Sequence, residues 1–294
     1  MTELHARAGE KDAGRKVKYF VRGDMRVSSG QFRALKAANG LLVNGEAVRA
    51  DCPLRPGDLV TVLLREPSAS KPVAPEPIPV CIPYEDADIY IVDKPAPLPC
   101  QCSDRQPSGT LENRLYARFA EAEDFVFRPL NRLDKGTSGL LAAAKHAHAC
   151  QILQRQLHSP GFIREYLAVV EGELSGEGTV DLPIAKADGP TVRRRVDHAH
   201  GQHAVTHYRA EAHGNGRTLV RLRLETGRTH QIRVHMAAIG HPVAGDFLYG
   251  AELPELPGRF ALHSTYIEFE HPLTGSRVAR TSPLPEELRR LMEP

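Results

Sequence analysis

The chain has 294 residues, of which 41% are hydrophobic and 25% are charged, as is ordinary for a soluble globular protein. This length can bury a full core, as one large domain or as a large domain with a small one. The net charge of +2 says little about partners. The segment from Thr191 to His235, however, contains nine arginines and only three acidic residues. A solvated face is the usual reason for a charge run. Because the guanidinium group suits phosphate, a basic groove for a polyanion is the alternative.

The cysteines and the first residues bear on the location of the protein. The five cysteines are odd in number and none forms a Cys-x-x-Cys pair, which favours incidental thiols over a metal or redox site. Residues 1–16 alternate charges without an apolar core, so we predict a flexible polar tail and no signal peptide or membrane span. A reducing cytoplasmic location is therefore expected.

A compact unit is predicted over residues 17–66. Ser28 or Ser29 can cap a short helix, and residues 41–48 indicate two strands joined by an Asn-Gly turn. A strand over residues 59–64 follows a Pro-Gly-Asp turn.

This order of elements resembles the small RNA-binding domain shared with ribosomal protein S-four. The resemblance implies that Arg33 and Lys36 on the helix contact RNA phosphates. A helix-and-hairpin scaffold without a ligand is the alternative. Proline-rich residues 67–82 are predicted to form a stiff linker, which leaves residues 83–294 as a catalytic domain.

The large domain alternates strands with a few helices but lacks a regular βαβ pattern, which indicates an α+β fold. Apolar runs and four-residue spacings predict strands at 140–144, 164–172, 205–212 and 218–225, and helices beginning at 109 and 147.

One aspartate of this domain occupies an unusual place. The segment from Pro129 to Leu140, PLNRLDKGTSGL, places Asp134 in a turn that opens an apolar, strand-like run. For an isolated Asp-x-Gly, a turn aspartate bonded to its own backbone is the ordinary explanation. The motifs that accompany this segment favour a functional role instead.

A second informative stretch surrounds the helix that Thr229 can cap. Arg228 and His230 lie near its N-terminus, where the helix dipole disfavours cations, so we predict that an anion binds there. His230, His235 and His241 could be read as metal ligands, but the spacing splays the first two apart and we predict no metal site. His235, beside the apolar stripe, is predicted to be a core histidine.

Four motifs in this order are NRLDKGTSGL, REYLAVVEG, TGRTHQIRVH and GHPVAGDFLYG, with ALHSTYIEFEHPLTG near the end. Together they resemble the RluA-type pseudouridine synthases over residues 83–283. The resemblance implies that a uridine inside an RNA is isomerised, exchanging its nitrogen–carbon glycosidic bond for a carbon–carbon bond. It also implies a mixed, mostly antiparallel sheet with flanking helices and a central cleft for RNA. No cofactor or metal is expected, because the reaction involves no redox change and no net hydrolysis.

The resemblance assigns a role to each motif residue. Asp134 is the nucleophile or base at the ribose, where a carboxylate suits the cationic character that develops as uracil leaves. Tyr166 stacks on the base and handles a proton at carbon five. Arg233 keeps Asp134 ionised and oriented at the cleft floor. Arg132 fills the stack when the uridine is flipped out. Further RNA contacts are expected at Arg228, His230 and Gln231.

One residue departs from the family pattern, because Asn131 stands where the family usually has histidine. It precedes the Arg-Leu-Asp core and is not the nucleophile, so we expect subfamily divergence rather than loss of activity. An asparagine there can hydrogen-bond RNA or the loop backbone.

Structural alternatives exist for Tyr166 as a core aromatic, for Arg233 as an ion-pair partner and for Arg132 as a surface residue. For the whole protein, the alternatives are a non-catalytic RNA-binding protein, a ribosome assembly factor or a hydrolase. A hydrolase needs a second carboxylate about 5–10 Å from the first, and Glu225 is the candidate. Ribosomal RNA is preferred to transfer RNA because the N-terminal domain type is common among ribosomal RNA binders. A monomer is expected.

Overall fold

The computed structural model describes residues 2–64, 72–121, 125–157 and 159–294. The chain divides into a small unit, built on residues 2–64 together with 125–126 and 146–148, and a large unit containing the rest. No helix within the described ranges has the length and apolar character needed to span a bilayer, and α4, defined below, is the longest with ten residues.

The small unit contains two helices and four strands. They are β1 (Thr2–Arg7), α1 (Val17–Gly23), α2 (Ser29–Ala37), β2 (Leu41–Val43), β3 (Glu46–Ala47) and β4 (Leu59–Leu64). The strands pair antiparallel in the order β1-β4-β2-β3. Ser28 caps α2 by accepting a hydrogen bond from the Gln31 N–H at 3.2 Å. Asn44 and Gly45 have φ of 53° and 87°, so the predicted Asn-Gly hairpin is confirmed.

The prediction of a flexible tail over residues 1–16 is wrong for the residues that the structure describes. Residues Thr2–Arg7 form an edge strand whose register with β4 runs from Thr2 opposite Leu64 to Arg7 opposite Leu59. Leu4 is buried in the core of the small unit and Ala6 packs against it. The alternation of these two apolar residues with exposed polar ones is the period of a strand with one buried face. The many charges obscured that short pattern.

The large unit contains the remaining elements, apart from the first two residues of α4. They are β5 (Cys81–Glu85), β6 (Ile89–Lys94), α3 (Leu111–Arg118), β7 (Arg128–Pro129), β8 (Ser138–Ala144), α4 (Ala147–Gln156), β9 (Ile163–Glu171), β10 (Glu177–Asp181), β11 (Ile184–Lys186), β12 (Arg194–Val196), β13 (Val205–Gly214), β14 (Arg217–Leu224), α5 (Gln231–Ala238), β15 (Leu262–Glu270), β16 (Arg277–Thr281) and α6 (Glu286–Arg289).

Ten of these strands form one sheet. The order is β10-β13-β14-β9-β15-β8-β6-β5, with β7 beside β8 and β16 beside β15, while β11 and β12 make a separate hairpin. Among the described strands, β8 and β15 are the one parallel pair. The predicted α+β class, with a mixed and mostly antiparallel sheet, is confirmed.

The predicted linker over residues 67–82 is only partly described, since residues 67–71 lie outside the described ranges. Its second half belongs to the large unit. Asn113 of α3 donates to the Ala74 carbonyl at 2.8 Å, and Glu76 accepts the Gly109 N–H at 2.6 Å. The chain thus divides between residues 71 and 72, within the predicted linker, and these hydrogen bonds attach the second half of the linker to the large unit near α3.

The centre of the sheet explains the position of the site. All seven residues of β8 are buried, as expected for a strand covered on both faces, and Leu140 and Ala142 share a core with Leu153 of α4. Gly139 has φ of 102°, and a Cβ atom there would lie 2.2 Å from the Ser264 carbonyl oxygen. Only glycine allows β8 to approach β15 this closely.

Candidate active site

Asp134 lies in the turn that leads into β8. Before the turn, the Leu130 N–H donates to the Ala142 carbonyl at 2.8 Å, and Asn131 Oδ1 accepts the Ala142 N–H at 3.1 Å. The sequence allowed RNA or the loop backbone as the partner of Asn131, and the structure shows the backbone of β8 instead. The Thr137 N–H closes the turn on the Asp134 carbonyl at 3.1 Å. The segment that carries Asp134 is thus attached to β8 by hydrogen bonds on its N-terminal side.

A buried lysine, Lys94, is linked to the same turn through the segment that follows it in the chain. Lys94 is inaccessible to solvent and donates to the Leu98 carbonyl at 2.7 Å and the Pro95 carbonyl at 3.1 Å. The Leu98 N–H in turn donates to the Lys135 carbonyl at 2.9 Å. Burial lowers the pKa of Lys94 to about 8.

Arg233 reaches Asp134 from α5. Its Nη1 donates to Asp134 Oδ2 at 3.1 Å, and its Nε and Nη2 donate to the two oxygens of Asp246 at 2.6 and 2.8 Å. The Arg233 side chain is 3% exposed and that of Asp246 is inaccessible. Hydrogen bonds and charge from Asp246 and Asp134 outweigh burial and raise the pKa of Arg233. A permanent cation therefore faces Asp134, with a bidentate pair fixing its direction.

Tyr166 is the fourth residue of β9, opposite Leu222 of β14 and Ser264 of β15. Its side chain is buried but lines the same cleft as Asp134. Burial raises the pKa of the Tyr166 hydroxyl, so the phenol keeps its proton at neutral pH.

His230 lies at the N-cap of α5 with φ of 59°, in the left-handed region. The predicted cap at Thr229 is therefore wrong by one residue. His230 Nε2 is 3.9 Å from Asp134 Oδ2, and Nδ1 is 2.8 Å from the Tyr249 hydroxyl. Burial lowers the pKa of His230, which favours the neutral ring beside Asp134.

Gln231 does not fit the RNA contact predicted for it. Its Oε1 accepts from the Thr226 hydroxyl and the Arg228 N–H, at 2.8 and 3.0 Å. Its Nε2 donates to the Val205 carbonyl and the Thr206 hydroxyl, at 2.9 and 3.0 Å. All hydrogen-bonding positions of the amide are occupied, so Gln231 fixes the loop before α5 instead.

The histidines proposed as alternative metal ligands have other partners. His235 is inaccessible, with Nδ1 2.9 Å from the Thr206 hydroxyl and Nε2 2.9 Å from the Leu182 carbonyl. The prediction of a core histidine is confirmed. His241 Nδ1 is 2.9 Å from the Glu171 carbonyl, away from His230.

One other group, Asp86, Asp88 and His271, brings three potential metal ligands together. His271 Nδ1 accepts the backbone N–H groups of Leu273 and Thr274, at 3.3 and 3.1 Å. A neutral ring therefore carries its proton on Nε2, which lies 3.1 Å from Asp86. This arrangement fits a histidine–carboxylate pair better than a metal ligand.

The predicted residues of the large unit meet in one cleft of about 780 Å³. Those that line it are Arg132, Asp134, Tyr166, Arg228, His230, Gln231 and Arg233. The other lining residues include Arg164, so four arginines face a single acidic side chain, Asp134. Arg132 is exposed, and Arg228 Nε donates to the His203 carbonyl at 3.0 Å. Such a cleft attracts a polyanion. Arg33 and Lys36 are exposed on α2 of the small unit.

A family model described as RNA pseudouridylate synthase matches residues 88–238. A Bacillus subtilis (strain 168) protein described as an uncharacterized RNA pseudouridine synthase, YjbO, is 37% identical over 92% of this chain and 96% of its own length. The chain belongs to the RNA pseudouridylate synthase family. The ribosomal large subunit pseudouridine synthase D of Escherichia coli (strain K12) is 40% identical to this pseudouridine synthase, over 74% of this chain and 71% of the relative. A solved structure of human RNA pseudouridylate synthase domain containing 1 superposes with a TM-score of 0.57 and 28% identity, covering 70% and 83% of the two chains.

Two site residues of this pseudouridine synthase were not predicted from its sequence. Asp246 and Tyr249 both lie in the GHPVAGDFLYG motif and hold Arg233 and His230 through the contacts above. Their motif was recognised, but its side chains were not assigned. A signal existed, because an aspartate within an apolar motif calls for a buried cationic partner.

Proposed function

We propose that this RNA pseudouridine synthase uses Asp134 as its catalytic carboxylate. The observation that carries the proposal is the contact of Asp134 with Arg233 in a basic cleft that Tyr166 also lines. Asp134 Oδ2 accepts a hydrogen bond from Arg233, and among the described residues Oδ1 has no hydrogen-bond partner. One carboxylate oxygen is thus oriented while the other is available to the ribose of the target nucleotide.

The reaction breaks the bond between ribose C1′ and uracil N1 and forms a bond between C1′ and C5. Asp134 acts at the ribose as nucleophile or base, and Arg233 orients its carboxylate during the approach of the sugar. Tyr166 stacks on the uracil, and its neutral hydroxyl relays a proton by accepting the one from C5 as it gives up its own, so that the proton lost at C5 is balanced by the proton gained at N1. Arg132, exposed at the cleft, fills the space that the flipped uridine leaves in the RNA stack.

A hydrolase is the less supported alternative. Glu225 is exposed, pairs with His207 at 2.6 Å and is not among the residues that line the cleft. Asp246 is the carboxylate nearest in the hydrogen-bond network to Asp134, but both of its oxygens are bound to Arg233. A second catalytic carboxylate, which two-carboxylate hydrolysis requires, is thus missing among the described cleft residues.

We propose ribosomal RNA as the substrate, in preference to transfer RNA. Relatives in Escherichia coli and Xanthomonas campestris are described as ribosomal large subunit pseudouridine synthase D. The small unit supports the proposal if it is an S-four-like RNA-binding domain, with Arg33 and Lys36 on phosphates. A cytoplasmic monomer that requires no cofactor completes the proposal.

Pseudouridine mapping by carbodiimide-adduct primer extension tests both the reaction and the substrate. Total RNA is compared between cells that contain the protein and cells that contain Asp134→Asn. We expect one or a few ribosomal sites to disappear in the variant. If every site persists while the variant still binds RNA, the catalytic role of Asp134 is wrong and a binding or assembly role replaces it.

A further inference from the structure

Arg164 of the cleft takes part in none of the contacts described so far. Arg164 of β9 is 4% exposed. Among the described residues, its guanidinium makes no hydrogen bond or ion pair, and its Nε atom is buried without any partner. Its neighbours include the Phe162 ring, whose centroid is 5.9 Å from the guanidinium carbon.

This isolation distinguishes Arg164 from the other buried arginines. Arg233 is bound by two aspartates, and Arg259 by Glu287 and the Ser138 hydroxyl. A buried charge without a carboxylate or hydrogen-bond acceptors lowers the stability of a folded protein. Such a group persists where a ligand supplies the missing partner.

The guanidinium lies at the cleft wall. Arg164 and Tyr166 are two positions apart on β9, so their side chains share one face of the sheet, and both line the cleft. A Cβ atom added to Gly227 would lie 3.1 Å from Arg164 Nη1. The guanidinium therefore adjoins the turn that precedes α5, where Arg228 also lines the cleft.

We propose that Arg164 binds a phosphate group of the RNA backbone inside the cleft, beside the N-terminus of α5. The planar guanidinium can give a phosphate two parallel hydrogen bonds. The first backbone N–H groups of a helix and its dipole favour the same anion. Arg228 adds a second positive charge, and no acidic residue within the described part of the chain forms an ion pair with Arg164, which leaves this charge available.

The inference rests on the proposed function, since it takes RNA as the ligand and places the phosphate beside the uracil that Tyr166 stacks on. It assigns Arg164 a binding role that is separate from the chemistry at Asp134. The unpaired charge of Arg164 lowers the stability of the free protein, and only the RNA phosphate in the complex balances it. Removing the charge should therefore raise the stability of the free protein and lower its affinity for RNA.

The first experiment measures thermal unfolding of the full chain with and without inorganic phosphate as a probe. We expect Arg164→Met to melt about 2–4 °C above the wild type without phosphate, because an unpaired buried charge is removed. Phosphate should raise the melting temperature of the wild type and leave that of Arg164→Met unchanged. The matched control is Arg221→Met on β14, since Arg221 is paired with Glu165 and Glu211 and should lose stability.

The second experiment measures RNA affinity and pseudouridine formation on a ribosomal RNA transcript. Arg164→Met should bind about tenfold more weakly, with the slope of log Kd against log salt reduced by about one. Arg164→Lys, which keeps the charge but loses the fork, should fall between the two. The single-turnover rate at saturating RNA should change less than the affinity does.

Three results would overturn the inference. Arg164→Met could melt below the wild type as Arg221→Met does, phosphate could stabilise both proteins equally, or RNA affinity could be unchanged. Failure of the proposed function is distinguishable, because the wild type would then form no pseudouridine whatever Arg164 does. A phosphate response without an RNA effect would assign the site to a free phosphate compound instead of the RNA backbone.

Discussion

Asp246 holds Arg233 through two hydrogen bonds, at 2.6 and 2.8 Å, and the remaining Nη1 of the same guanidinium reaches Asp134 at 3.1 Å. Two aspartates thus share one arginine, but only one of them is accessible. The Asp246 side chain is inaccessible to solvent, whereas that of Asp134 is 27% exposed. The buried aspartate orients the arginine and the exposed one faces the cleft.

Asp246→Asn should therefore damage both stability and activity. The amide leaves Arg233 buried without its bidentate carboxylate, so we expect the free energy of unfolding to fall by about 3–5 kcal/mol and pseudouridine formation to drop about 100-fold. Urea denaturation and tritium release from RNA labelled at uridine C5 measure the two effects. Glu293→Gln, which breaks an exposed pair with Arg289, is the control and should change neither. Unaltered activity in Asp246→Asn would show that Arg233 does not depend on it.

His230→Gly separates the backbone from the side chain. The left-handed φ of 59° is strained for histidine and free for glycine, so the free energy of unfolding should stay within about 1 kcal/mol of the wild type. Activity should fall about tenfold or more, because a group 3.9 Å from Asp134 is lost. Asn215→Gly, a matched change at φ of 51° in the turn between β13 and β14, should leave activity unchanged. Equal activity in the two variants would confine His230 to a structural role.

Stability should decrease as the solution becomes acidic. Burial lowers the pKa values of His235 and His263 below the ordinary value of 6.5. Between pH 6.5 and the pKa in the folded state, these histidines are protonated in the unfolded chain but neutral in the folded one. The free energy of unfolding therefore falls as the pH drops through this range. Each histidine contributes a slope of up to about 1.4 kcal/mol per pH unit. Urea denaturation from pH 7.5 to 5 should show a shallower slope in His235→Gln; an identical slope would contradict burial of a neutral ring.

Gly139→Ala should prevent the central sheet from closing. The added Cβ atom would lie 2.2 Å from the Ser264 carbonyl oxygen at an unfavourable φ of 102°, and we expect a loss of more than about 3 kcal/mol. Gly216→Ala is the control, since Gly216 has φ of 68° and no atom within 4 Å of the new methyl group. It should cost about 1 kcal/mol. Similar melting temperatures for the two variants would show that β8 and β15 can separate without loss.

The small unit should contribute RNA affinity rather than chemistry. Replacing Arg33 and Lys36 together by alanine should weaken RNA binding, reduce the salt slope by about two and leave the single-turnover rate at saturating RNA unchanged. Filter binding across a salt series measures the effect. Arg289→Ala is the control, because Arg289 of α6 already pairs with Glu286 and Glu293. An unchanged slope would favour the ligand-free scaffold.

Residues near one another in sequence were predicted better than those brought together by the fold. Asp134, Tyr166 and Arg233 lie in distinct motifs, so sequence order was enough to nominate them. The hydrogen bonds of the Gln231 amide to Val205 and Thr206 were not predicted, because these partners come from a strand more than 20 residues away. Sequence distance hides such contacts from local pattern analysis.

Asp246 and Arg164 illustrate two further reasons. The value of a buried aspartate depends on which cation the fold places opposite it, and no periodicity reports that pairing. Arg164 stands out because its guanidinium has no hydrogen-bond or ion-pair partner among the described residues. That absence can be recognised only once the positions of all its neighbours are known. Charges also misled the reading of residues 2–7, where a strand with one buried face needs only two apolar side chains.

The order of strands has a consequence for how the protein is made. Consecutive strands β8 and β9 carry Asp134 and Tyr166 to the cleft, yet β15 lies between them in the sheet. The two residues cannot take their final places until the ribosome has released residues 262–270, so the nascent chain should remain catalytically silent for most of its synthesis.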